Sequence, residues 1–206
     1  MPRRRLLLCL LVALACAAPA AAAGRTSWAQ PQIKAVVGAG IMGPDVPDFR
    51  PDDALTRVAL AQLASGLTHS VPAAVSSPAA PVTIAGLDAR LVNVLGLANA
   101  AKTFLQGAKD AGLAPPSRFG TEATARLLGL RINHPAAQDS LELLPNETAT
   151  RAEAAFSGAQ VLKFGDWTLP AVQTAATTFT LPALTSWQKR VLQTAVRFIG
   201  YPYVWR

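Results

Sequence analysis

The sequence predicts an all-α protein built from short helix–loop–helix repeats, followed by an extended C-terminal linker and one terminal helix. Three observations carry this. Alanine is abundant, runs of β-branched residues are short, and apolar residues recur at spacings of three and four. That spacing is the period of helices that bury one face. Threonine stands where two of the periodic runs begin, and glycine or proline where others stop, as helix caps require.

The first 23 residues read as a secretory signal. Arg3, Arg4 and Arg5 form a cationic start, LLLCLLVALAC an apolar stretch too short for a comfortable membrane span, and Ala21-Ala22-Ala23 a small-residue cleavage site. Cys16 after Leu14 and Ala15 offers a lipoprotein reading as an alternative. A helix is expected from Trp28 to Gly40, with Ile33, Val36 and Val37 on one side, and a Pro/Asp loop follows it. A second helix opens at Thr56 and presents Val58, Leu60, Ala61, Leu63, Ala64 and Leu67. Residues 28–68 form one module, and 69–87, rich in Pro, Ala and Ser, a linker. The region 88–163 begins with a helix over 88–112, capped by Asp88 and stopped at Gly112. It continues through a short helix over 121–130, a loop, and a strong helix over 150–162. Residues 164–185 alternate threonine with apolar residues and carry two Leu-Pro steps, which reads as extended linker; a last helix starts near Ser186.

Charge and cysteine content narrow the function. The formal net charge is +7, and +4 without Arg3, Arg4 and Arg5. A mild positive excess suits an anionic wall polymer. No clustered basic stripe with interleaved aromatics appears, which argues against nucleic acid. Both cysteines, Cys9 and Cys16, lie in the signal, so the exported chain is expected to have no disulfide, thiolate metal site or cysteine nucleophile. No cofactor is implied.

Two segments share a plan: a short helix, a Pro/Asp/Asn loop, then a helix opened by Thr-Arg. They are IKAVVGAGIMGPDVPDFRPDDALTRVALAQL and ARLLGLRINHPAAQDSLELLPNETATRAEAAFSGAQVL. Thr150-Arg151-Ala152-Glu153 has the form of a capping box, in which the threonine hydroxyl and the glutamate satisfy each other's amides. Thr56-Arg57-Val58-Ala59 keeps the cap and lacks the glutamate. This layout resembles S-layer homology modules, whose signature is an apolar-Pro stretch followed by Thr-Arg-Ala-Glu at a helix start. The resemblance implies three modules in a pseudo-threefold helical unit that holds secondary cell-wall polysaccharide. The middle copy is not legible, and the helix at 88–112 is the candidate for its remnant. If the resemblance holds, Arg57, Arg151 and Glu153 mark the binding positions, arginine being a planar, permanently charged donor for anionic sugars. The implied location is the cell wall or cell surface, with wall polysaccharide or peptidoglycan as partner and no membrane span after signal cleavage.

The segment SWQKRVLQTAVRFIGYPYVW resembles the first helix and turn of NlpC-like cell-wall peptidases, through Gly200, Tyr201-Pro202-Tyr203 and Val204-Trp205. On this reading 186–206 is the truncated start of a catalytic domain. The alternative function is thus the anchoring part of a peptidoglycan cysteine endopeptidase. No peptidase activity is expected from these residues, because a thiolate, a histidine base and an orienting group cannot be assembled. Other candidates are weak. Asp45, Asp48, Asp52 and Asp53 lack calcium-loop spacing and read as a solvated turn. His69 and His134 read as helix-end and turn residues. Asn146-Glu147-Thr148 is formally a glycosylation sequon.

Overall fold

A computed structural model describes residues 26–131 and 143–201. The signal segment, His134 and the aromatic residues after Tyr201 lie outside the described residues. Eight helices are present among those described: α1 (Gln30–Gly38), α2 (Arg57–Leu67), α3 (Ile84–Val94), α4 (Ala98–Asp110), α5 (Phe119–Leu127), α6 (Arg151–Val161), α7 (Thr168–Thr178) and α8 (Ser186–Arg197). The architecture is all-α.

Three helix starts meet around a pseudo-threefold axis. The starts of α2, α3 and α6 are each preceded by a proline turn: Pro51 to Thr56, Pro78 to Thr83, and Pro145 to Thr150. At the axis Leu55 N donates to Ala149 O, Ala149 N to Val82 O, and Val82 N to Leu55 O, at 2.8, 2.8 and 2.9 Å. The three residues that close this ring are buried. One shell outward, the opening amides of each helix donate into the next copy's turn. Arg57 N and Val58 N reach Ala80 O and Pro78 O. Ile84 N and Ala85 N reach Glu147 O and Pro145 O, and Arg151 N and Ala152 N reach Asp53 O and Pro51 O. The third amide in each case goes to the capping threonine hydroxyl: Ala59 N to Thr56, Gly86 N to Thr83, and Glu153 N to Thr150. Amides that a helix start leaves without partners are therefore used to join the three copies. Thr150→Ala is expected to lower stability by about 1 kcal/mol, measured by chemical denaturation. A change within a few tenths would mean that the cap bond adds nothing to the main-chain joint.

The middle copy begins at Ser77-Pro78, inside the stretch expected to be linker, and Thr83 rather than Asp88 caps its helix. Asp88 is instead buried within α3. The single helix expected over 88–112 is two. Gly96 takes φ +72, and its amide and that of Leu97 bond back to Asn93 O and Val92 O, closing α3 before α4 starts. The expected extended linker over 164–185 contains α7. Pro170 falls in the first turn of α7, where an amide is not needed. Phe179, just past its end, meets Phe104 of α4 edge-on at 5.3 Å.

Short helices cover two of the three capped helices. α1 lies on α6, with Trp28 and Phe156 rings 5.8 Å apart, and α5 lies on α3. α2 packs against α3 and α6 but is passed on its outer side by the non-helical segment 70–80. Val58 is accordingly 38% exposed where its counterpart Ala152 is buried. The terminal helix α8 buries no residue and is held through its C-terminal half. Gln193 exchanges hydrogen bonds with Ala114 N and O, and Arg118 donates to the carbonyls of Arg197 and Ile199 while lying 5.4 Å from the centre of the Tyr201 ring.

Candidate functional site: an arginine groove along α2

Three guanidiniums do the same job at the three joints between copies. Arg57 Nη1 donates to Ser76 O at 3.4 Å, Arg151 Nε to Phe49 O at 2.7 Å, and Arg131 Nη2 to Leu143 O at 3.1 Å. Each acceptor stands two residues before the proline of its copy. Arg57 and Arg151 are the first residues of α2 and α6. In α3 that place is held by Ile84, and Arg131, from the turn after α5, supplies the missing donor.

Their surroundings separate them. Arg151 is half-buried, with its guanidinium carbon 4.7 Å from the centre of the Phe49 ring, a contact of cation–π type. Gly43, at φ +74, keeps this corner open: a Cβ there would sit 3.1 Å from the Phe49 ring and 3.5 Å from Arg151 Nη2. Burial lowers the Arg151 pKa from its ordinary value, with Asp53 opposing. Arg131 is buried, and its guanidinium faces Glu153 Oε2 at 3.4 Å and Asp88 Oδ2 at 3.6 Å. Burial holds the Asp88 carboxyl well above the usual carboxylate range; Arg131 works against that shift and Glu122 adds to it. Glu153 thus points its carboxylate inward to Arg131, while its amide completes the Thr150 cap.

Arg57 is exposed, and it opens onto solvent on the side of α2 that none of the described short helices covers. There it lines a cavity of about 370 Å³ with Arg90 of α3, Leu60, Ala61 and the segment 73–76. Among the described residues no carboxylate lines this cavity, and the one side-chain hydrogen bond of Arg57 is the long one to Ser76 O. A second cavity of about 630 Å³ lies along the same helix, walled by the glycine-rich turn 39–44, Gln62, Ser65, His69 and Ser70. Two permanent positive charges on the open cavity at Arg57 and Arg90 can hold an anionic ligand by charge-assisted hydrogen bonds.

Residues 23–59 match the S-layer homology domain family. The matched stretch runs through α1 and the Pro/Asp loop to the first turn of α2, and so ends at the Thr56-Arg57 cap. It lies on the copy that carries the open groove, whereas the fuller Thr150 to Glu153 signature lies outside it. No curated protein and no solved structure matches the chain. An S-layer homology domain ties a protein to the cell wall or cell surface in general terms. Among the described residues no helix is long and apolar enough to cross a membrane.

The three binding residues expected from sequence are therefore not brought to one place. Arg57 faces the groove, Arg151 clamps Phe49, and Glu153 pairs with Arg131. Arg90 went unnoticed because it meets Arg57 only through the packing of α2 on α3. Arg131 carried a usable signal. Gly129-Leu130-Arg131 repeats Gly40-Ile41-Met42: both glycines have φ +68, and the amides of Leu130 and Ile41 each bond back five residues. An arginine at a position that is buried methionine in the sister copy marks a buried ion cluster. Of the acidic turn, Asp45 Oδ1 accepts the Asp48 amide at 2.8 Å and Asp53 pairs with Arg50 at 2.6 Å. His69 closes α2 with φ +51.

Proposed function

We propose that this chain is an exported, non-catalytic module that holds an anionic cell-wall polysaccharide without covalent attachment, through the groove along α2. The observation that carries the reading is that Arg57 and Arg90 line one cavity with no carboxylate among its described residues, at the joint that none of the described short helices covers. Guanidinium groups in this setting suit carboxylate, ketal or phosphate substituents on sugars. On this reading Arg151 and Glu153 support the joint rather than touch polymer, because their charged groups are already engaged with Phe49 and Arg131.

Co-sedimentation of the protein with purified wall sacculi tests the proposal. Arg57→Ala is expected to weaken binding about tenfold or more, as removal of a charge-assisted contact does, and raising the salt should weaken the wild type in parallel. The expectation also requires sacculi stripped of their polysaccharide to retain little protein. Wild-type affinity in the Arg57→Ala/Arg90→Ala double variant would remove the groove from the reading. Failure of the intact protein to bind any sacculi would remove the reading itself.

A further inference from the structure

A second cavity suited to a sugar lies away from the arginine groove. It has a volume of about 410 Å³ and is enclosed by the last turn of α5, the end of α6 and the first two turns of α7. Leu128 and Val172 form its buried floor. Trp167 and Leu127 stand at its wall with 74% and 58% of their surface exposed, an unusual amount of apolar area to leave in water. The indole lies against the Gly165 backbone: a Cβ there would come within 3.1 Å of Trp167 Nε1 and 3.2 Å of Cδ1, so a side chain at 165 would push the ring aside by a few tenths of an ångström. The Trp167 carbonyl accepts from Ala171 N at 3.0 Å, which fixes its backbone at the entry to α7. Gln160, Lys163 and Thr168 supply an amide, an ammonium and a hydroxyl to the same cavity, and among the described residues no carboxylate lines it.

We propose that this cavity is a sugar subsite, taking one pyranose ring that bears an anionic substituent. The apolar face of the ring stacks on the Trp167 indole, its hydroxyls meet Gln160 and Thr168, and its anion faces the Lys163 ammonium. The mixture decides the occupant. An apolar helix or a second copy would leave Gln160 and Lys163 covered without partners, which is costly, whereas a sugar has one C–H face and a rim of hydroxyls. Aromatic side chains with a polar edge are suited to such half-wet surfaces. The cavity size falls within the range of small-ligand sites. The identity of the partner rests on the polymer reading above; the geometry does not. Two separated subsites on one chain would also raise its hold on a repeating polymer beyond either alone.

The test is titration of the isotope-labelled protein with sodium glucuronate and, separately, glucose, following indole N–H resonances, with that of Trp167 assigned from Trp167→Phe. The expected result is a saturable shift of the Trp167 resonance with glucuronate, about tenfold weaker binding with glucose or in Lys163→Gln, and loss of binding at this cavity in Trp167→Ala. The Arg57→Ala/Arg90→Ala variant should respond at Trp167 as the wild type does. Its failure on sacculi and failure at Trp167 are therefore separate outcomes. A Trp167 resonance that ignores both sugars overturns the proposal. So does one that moves with protein concentration instead, which would make the cavity a contact between copies. Because Trp167 is largely exposed, an unchanged helical circular dichroism spectrum is expected for Trp167→Ala, and retained binding in that folded variant also overturns the proposal.

Discussion

Gly120→Ala is expected to destabilise the protein by about 3 kcal/mol or more, among the largest effects of any single methyl group added to this fold. Gly120 is the second residue of α5 and is buried against α4. A Cβ at this position would lie 1.9 Å from the carbonyl oxygen of Ala101 and 2.7 Å from its carbonyl carbon. The obstacle is backbone inside a helix, so no rotamer change relieves it. The helices must move apart, and the buried contacts of Ala100, Ala101 and Phe104 with the α5 side loosen together. Two other glycines calibrate the expectation. At Gly66 the nearest atoms belong to the Ile41 side chain at 2.8 Å, with its Cα at 3.0 Å, and at Gly107 they belong to the Phe179 ring at 2.7 Å. A ring can turn more easily than a helix can shift, so the order of damage should be Gly120, then Gly66, then Gly107. Thermal unfolding followed by circular dichroism would show Gly120→Ala melting roughly 10 °C lower. A melting point within a degree or two of wild type would mean that α4 and α5 are not packed as closely as described.

The sequence made two of the three copies visible because they kept their chemistry. Thr56-Arg57 and Thr150-Arg151 are cap and guanidinium together, and both are where the helices start. The middle copy lost both charged signals: Ile84 and Gly86 stand where arginine and glutamate would be. What survived is a spacing, a proline five residues before the capping threonine, common to Pro51, Pro78 and Pro145. It was hidden in a stretch whose Pro, Ala and Ser content looks like linker. With no arginine after Thr83 to mark the cap, Asp88 reads as the start of a helix that begins four residues earlier. The site was less legible than the fold for a different reason. The Arg57–Arg90 groove is open because none of the described short helices covers α2, and which helices pack where is a property of tertiary packing, not of any residue in α2. In the opposite sense, the Thr185 hydroxyl and Gln188 form a complete capping box at the start of α8, where local chemistry alone sufficed.

Arg131→Met is expected to cost about 3–5 kcal/mol at neutral pH, and the reason for the cost can be isolated. The substitution copies the sister position, since Met42 occupies the same place after the turn of α1 and is buried without difficulty. Size and polarity at residue 131 are therefore not the problem. The loss should come from Asp88 and Glu153, which would be left buried beside Glu122 with their principal cation gone. The pH dependence follows from the direction of the Asp88 shift. Its folded pKa is raised above the unfolded value, so its favourable contribution is present at acid pH and is lost as pH rises through the folded pKa. Without Arg131, which opposes that rise, the folded pKa moves higher still, and the deficit of the variant should shrink as pH is lowered toward the ordinary carboxylate range. At the Met42 joint, where α1 packs on α6, the places of Asp88 and Glu153 are held by Ala155 of α6 and Ala59 of α2, both buried. The triple variant Asp88→Ala/Arg131→Met/Glu153→Ala thus rebuilds the apolar form of the joint from residues the protein already uses. It should recover most of the stability, to within about 1–2 kcal/mol of wild type, because the buried charges leave together and the donor to Leu143 O is the chief described contact then lost. Urea denaturation of the single and triple variants at two pH values checks this. Should the triple variant prove as unstable as the single one at both, the main role of Arg131 is to bridge the turn at Leu143, and the buried charges are not what it balances.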